Sequence, residues 1–263
     1  MKRILIMLYI LVARGVANAQ ERRPFSAYPF EHYTIDLFDN VYAWSGPSLV
    51  QYDRDGKQVR NYSNPSLGTI THVDASYPSK ILVFYQEAAC IVLLDNQLSS
   101  IGNTLDLLAY NLFTISLASM IGTSKIALYD QQNQMLILSD LQLNITGTTH
   151  CQMEKDFHPT SMQSSQEKTI MLTDTTKGVY LFDILGSFQQ KIMLPNTICA
   201  QIVGDELVYL QNGILRFYNM RQHTYHDSDL PVSTYRSFHL GSQCLYVQDT
   251  AGYVYQIPRS SKQ

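Results

Sequence analysis

The stretch "KGVYLFDILGSFQQKIML", Lys177 to Leu194, decides how the chain reads. "GVYLFD" is a short apolar run of β-branched and aromatic residues, "DILG" has the composition of a tight turn, and "SFQQKIML" is extended again. The same phrase recurs as "SLVQYD" ending at Asp53, "CIVLLD" at Asp95, "MLILSD" at Asp140 and "ILRFYN" at Asn219, with "GYVYQI" at Ile257 a sixth copy lacking the acid. Spacings of 42, 45, 43, 36 and 38 residues mark a repeat architecture with a period near forty.

Each copy has constant neighbours. A second strand-like run precedes it, as in "NVYAWSG", "KILVFYQ", "KIALYDQ", "KTIMLTD", "ELVYLQN" and "CLYVQD", across a short polar connection such as "DTTKG" or "QNG". A less regular strand lies further upstream ("GTITHVDAS", "LFTISLASM", "PTSMQSS", "ICAQIVG", "YRSFHLG"), and an outer strand follows the Asp turn. Four short antiparallel strands per forty residues describe a propeller blade. The middle runs are apolar on both sides, which a sheet with one wet face would not be. The fold expected is therefore all-β, a single six-bladed β-propeller of four-stranded antiparallel blades. The copies run over 32–66, 67–104, 111–152, 157–195, 197–231 and 234–258. The last copy lacks an outer strand, and "FSAYPFEHY" (Phe25 to Tyr33) is positioned to supply it, closing the ring by pairing the N-terminal strand with the last blade. "NTLDLLAYN" (Asn103 to Asn111) breaks the β rhythm and reads as a link with one helical turn.

The recurrent Asp reads as a turn residue whose carboxylate binds the backbone N–H two residues on. The first 19 residues read as a secretory signal peptide: basic Lys2 and Arg3, nine apolar residues from Ile4 to Val12, and a small-x-small site "ANA" before Gln20. The domain expected is then 20–263. It holds 244 residues with 16 basic against 22 acidic, a net charge of −6, and no basic cluster that would suit nucleic acid. No later run is long and apolar enough for a transmembrane helix. Export would permit disulfides among Cys90, Cys151, Cys199 and Cys244, with three pairings open, although buried free thiols fit as well.

The phrases "SLVQYDRDGKQ", "SKILVFYQEAACIVLLDNQLS", "KIALYDQQNQMLILSDLQL" and "GVYLFDILGSFQQKI" resemble a family of small exported β-propeller proteins of Bacteroidota, most strongly from Asn40 to Leu194. The resemblance implies a protein of the periplasm or the periplasmic face of the outer membrane, without enzymatic activity. It implies service to envelope machinery as an accessory component of the type IX secretion apparatus, with an outer-membrane translocon or a lipoprotein as partner. It carries over no functional residue. "DTT" and "DTA" resemble the O-glycosylation acceptor of these bacteria, at Thr175 and Thr250.

Catalytic signatures are few. The chain holds no G-x-S-x-G elbow, H-E-x-x-H, P-loop or G-x-G-x-x-G, and no cofactor is expected. His72 and Asp74 of "HVD" fall on an inner strand, where propeller active sites converge, and are the candidate axial polar residues. His223, His226, Asp227 and Asp229 form the one local metal-like cluster, on what reads as an exposed turn. The leading expectation is a non-enzymatic interaction scaffold. The alternative is a ligand-binding or hydrolytic, carbohydrate-active propeller with its site on the central axis.

Overall fold

The structure, a computed structural model, describes residues 24–151, 157–165, 168–227 and 235–258. The expected signal peptide lies outside these residues. Blade 1 comprises β1 (His32–Ile35), β2 (Val41–Ser45), β3 (Ser48–Tyr52) and β4 (Gln58–Ser63). Blade 2 comprises β5 (His72–Asp74), β6 (Ile81–Tyr85), β7 (Cys90–Leu94) and β8 (Leu105–Asp106). Blade 3 follows with β9 (Ile115–Ile121), β10 (Lys125–Asp130), β11 (Met135–Asp140) and β12 (Ile145–His150). Blade 4 has β13 (Ser161–Ser165), β14 (Thr169–Asp174), β15 (Gly178–Asp183) and β16 (Phe188–Ile192). Blade 5 has β17 (Thr197–Val203), β18 (Glu206–Gln211), β19 (Ile214–Asn219) and β20 (Thr224–Asp227). Blade 6 has β21 (Tyr235–Leu240), β22 (Cys244–Asp249) and β23 (Val254–Pro258). Strands pair antiparallel in chain order within each sheet, and the first strands of successive blades neighbour one another around the axis.

Why the middle strands are apolar on both sides becomes plain from their packing. On β6, Ile81, Val83 and Tyr85 pack against blade 1, whereas Leu82 and Phe84 pack against blade 3. On β10, Ile126 and Leu128 turn to blade 2, and Ala127 and Tyr129 to blade 4. On β22, Leu245 and Val247 face blade 5, and Tyr246 faces blade 1. The period of two that sends side chains to opposite faces thus sends them to two different neighbours. Six hydrophobic cores result, one at each interface between blades, the sixth joining blade 6 to blade 1 through Phe30, Tyr33, Ile35, Val41, Ala43, Tyr246 and Val254. Each fully buried Leu, Ile or Phe contributes roughly 1.5–3 kcal/mol by leaving water.

The turn after the third strand is built the same way in four blades. Asp183 Oδ1 accepts the N–H groups of Leu185 (2.9 Å) and Ser187 (2.8 Å), two and four residues on. Asp53 does so with Asp55 and Lys57, Asp95 with Gln97 and Ser99, Asp140 with Gln142 and Asn144. The residue three past the Asp has a left-handed backbone: Gly56, Leu98, Leu143 and Gly186, with φ of 82°, 59°, 64° and 84°. This is a three-residue hairpin closed by a residue in the left-handed region. Leu98 and Leu143 tolerate it without being glycine, and both side chains are buried in cores between blades. Gly178, which opens β15, has φ 107°, and a Cβ there would run into the Ile192 carbonyl.

Ring closure rests on both ends of the chain. Pro24 pairs with Tyr255, Phe25 N–H bonds Val254 O (2.7 Å), and Phe30 N–H bonds Gly252 O (2.8 Å). The N-terminal segment therefore takes the fourth position of blade 6 as expected, though His32 and Tyr33 belong to the inner strand of blade 1. Gln248, buried in β22, donates to the carbonyls of Phe30 (2.8 Å) and Gly252 (3.2 Å) and accepts from Arg236 and Ser237. Asp39, in the β1–β2 turn, accepts from Ser242 and Gln243 in the turn of blade 6.

One expectation is refined. The 103–111 link does contain a helical turn, a 3-10 turn over Leu108–Tyr110, but Leu105–Asp106 inside it pair with β7 as the outer strand of blade 2. Cys90 and Leu94 therefore meet the chain at two separated points, Asp106 and Ser100.

Substituting Gln248→Ala should leave the buried Phe30 carbonyl without that donor. We expect a loss of about 1–3 kcal/mol in urea unfolding with an unchanged slope. An unaltered midpoint would show that the Gln248 bonds contribute nothing to stability.

Candidate functional site

The inner strands β1, β5, β9, β13, β17 and β21 present the axis, and they carry both candidate polar residues. Asp74 is buried and fully engaged. Its Oδ2 accepts from Ser119 Oγ (2.7 Å) and Met120 N–H (2.8 Å) of blade 3, and its Oδ1 accepts from Ser76 N–H (2.9 Å). The candidate axial polar residue Asp74 is a staple between two blades. Equivalent staples occur elsewhere: Ser164 Oγ to Met120 O, Ser165 Oγ to Ile202 O (3.4 Å), and Gln201, which donates to Leu240 O (3.1 Å) and accepts Leu240 N–H (2.7 Å). Arg236 donates to Glu31 O and to Gln248 Oε1 (2.8 Å). The axial polar groups bind neighbouring strands to one another because inner strands of adjacent blades share no ladder of their own.

His72 is half-buried, edge-on to Trp44 with ring centroids 6.3 Å apart, and Trp44 in turn stacks on His32 at 5.4 Å. Burial holds the His72 imidazole below its ordinary pKa; Asp74 opposes this, and His32 reinforces it. His239 on β21, which the sequence did not single out, lies edge-on to Tyr33 at 4.8 Å. Burial pushes it down to about 4, with His72 adding in the same direction. Tyr33 is raised by burial and donates to Tyr246 O (3.2 Å). Cys199 is pushed up to about 12 by burial, so its sulfur is a thiol. Burial thus favours the neutral forms of both imidazoles and of the thiol. Among the described residues no group of three or more His, Cys, Asp or Glu converges with metal-binding geometry.

The remaining candidates are dispersed. His223 Nδ1 meets the Tyr218 hydroxyl at 2.8 Å, His226 stacks on Phe217 at 4.8 Å, and Asp227 pairs with Arg216 at 3.0 Å; Asp229 lies outside the described residues. The four cysteines are free thiols. Cys90 and Cys151 lie in the cores between blades 1 and 2 and between blades 3 and 4, while Cys199 and Cys244 pack at the edges of two others. Thr175 is half-buried in the β14–β15 turn, and Thr250 is exposed in the β22–β23 turn.

The two faces differ in what they expose. Connections between blades emerge on the same face as the β2–β3 type of turn, and they carry Tyr28 (75% exposed), Phe113 (64%) and Met193 (66%). These lie between blades 6 and 1, 2 and 3, and 4 and 5, that is, at every second interface around the ring. The opposite face carries Leu37, Phe38 and Leu185. Among the described residues no helix is long and apolar enough to cross a membrane.

No family model matches the chain, and no curated protein matches it. Solved structures do. The Neurospora crassa Pan2 WD40 domain is similar with a TM-score of 0.59 at 10% identity, over 89% of this chain and 80% of that one. Virginiamycin B lyase from Staphylococcus aureus is similar at 0.61 and 10%, over 87% and 80%. BBS1N, solved in complex with ARL6DN, is similar at 0.57 and 14%, over 84% and 75%. At such identities the likeness shows the β-propeller fold alone.

The depressed His239 pKa has a consequence for stability. Unfolded His239 takes up a proton near its ordinary 6.5, whereas the folded residue refuses one until about 4. Stability should therefore fall as pH drops from about 6.5 to 4, by on the order of 3 kcal/mol from this residue, and level off below. Urea midpoints measured across that range should slope less in His239→Gln; an equal slope would refute burial as the cause.

Proposed function

We propose that the protein is an exported, non-enzymatic interaction platform of the cell envelope, an accessory component of a secretion complex of the type IX kind. The observation that carries the platform reading is the connector face, where three large apolar side chains project from loops whose bases are locked between blades. Rigid elements with variable loops suit partner recognition, because the entropy of ordering the loops is already met by the fold. The axis offers a weaker case for the carbohydrate-active alternative. Its one inner-strand carboxylate at a sequence-chosen position, Asp74, accepts three hydrogen bonds from protein groups. The leader of residues 1–19 supports export, and the resemblance over Asn40 to Leu194 supports the envelope setting and a translocon or lipoprotein as partner.

Cross-linking in intact cells, followed by mass spectrometry, tests the reading. The parent protein should yield a defined adduct with an envelope protein. Tyr28→Asp, Phe113→Asp and Met193→Asp together should abolish it with little change in melting temperature, because these side chains are exposed. Phe38→Asp and Leu185→Asp, on the opposite face, should preserve it. An adduct lost only with the second pair would place the partner on the other side; no adduct from the parent would overturn the proposal.

A further inference from the structure

We propose that the seam between blades 2 and 3 is a binding site for a small anionic amphiphile, a carboxylate on a short alkyl chain. Blade 2 is where the chain departs from its own repeat. Its outer strand has two residues, where the outer strands of blades 1, 3, 4 and 5 have four to six. Ile101 still bonds Leu93 through its N–H (2.7 Å), and Leu105 pairs with Ile91. Between them Gly102, Asn103 and Thr104 swing out of the sheet, with Gly102 at φ 71°. The cover that a regular outer strand would give is missing, and a half-open groove of about 470 Å³ remains. That volume falls within the range of small-ligand sites.

The chemistry of the walls selects the ligand. Leu93, Ile101, Leu105, Tyr110 and Leu141 make the lining mostly apolar. Lys80 supplies the cation. Its ammonium donates to Thr123 O (2.7 Å), and among the described ion pairs no carboxylate neutralises it. The groove's carboxylate, Asp106, accepts Leu108 N–H (2.9 Å) at the start of the 3-10 turn, which engages one of its oxygens. A cation with N–H groups to spare beside an apolar trough complements a ligand with a negative head and an apolar tail. A neutral alkyl chain would leave the ammonium unmatched. Asp106 pairs with Cys90, at the opposite end of β7 from Leu94, whose partner Ile81 follows Lys80, so the negative head belongs at the Lys80 end and away from the carboxylate. Tyr110 shares the β8–β9 connection with Phe113, but Lys80 and Leu141 lie in the β5–β6 and β11–β12 turns on the opposite face, so Lys80→Met separates this proposal from the partner face.

Hexanoate, octanoate and decanoate, titrated below their micellar concentrations into the exported protein, test the site by amide chemical shifts. Shifts should be confined to the neighbourhood of Lys80, Ile101–Tyr110 and Leu141–Gln142. Affinity should tighten by about two- to fourfold per added methylene, fourfold being the limit for full burial. Lys80→Met should weaken decanoate about three- to fivefold, as loss of an exposed ion pair does, while leaving decanol binding unchanged. Tyr110→Ala, at a partly exposed position that should not endanger folding, should weaken all three carboxylates alike. Shifts scattered over the surface, no dependence on chain length, or equal decanoate binding by Lys80→Met would overturn the proposal. So would N-acetyl-leucine amide binding as tightly as decanoate, which would assign the groove to a protein side chain.

Discussion

No blade of this protein has a core of its own. Alternate side chains of each middle strand enter two different interfaces, so Ile81 and Leu82, adjacent in sequence, stabilise different junctions. A blade removed from the ring would expose both faces at once. The sixth core, joining the last blade to the first, buries the two faces that an open ring would leave to water.

That constraint explains how polar residues are used. The cores are apolar and non-directional, and they do not by themselves set the angle between blades. Directional bonds from Asp39, Asp74, Ser164, Gln201 and Gln248 do so, each linking a side chain of one blade to the backbone of the next or of the chain end. The axis, where catalytic propellers gather their chemistry, is here committed in large part to assembly. Side chains free of that duty lie in the turns and connections of both faces and at the irregular outer edge of blade 2.

The repeat was readable because each copy must solve the same local problem. An Asp at the end of a strand satisfies two turn amides, and a residue three further on takes a left-handed backbone; both leave marks in composition. The irregular edge of blade 2 was half legible: "NTLDLLAYN" broke the rhythm, but that two of its residues rejoin the sheet depends on β7 lying alongside. Asp74 was found and its role was not, because the partner that consumes its carboxylate, the Ser119–Met120 segment, is some 45 residues distant in the chain. Gln248 leaves a mark in the sequence, a polar residue inside a strand otherwise apolar on both faces. Asp39 and His239 had none, since nothing local distinguishes them from ordinary turn and strand residues.

Periodicity, turn chemistry and two-sided apolar strands were enough, by themselves, to establish an all-β ring of six blades and the way its ends meet. Those features are local, and a sequence records local requirements directly. Which imidazoles share the axis, which carboxylate joins two blades, why four cysteines stay apart and where a groove opens were settled only by the folded ring. Each depends on residues brought together from different repeats, and distance in space between them is not written in their spacing along the chain.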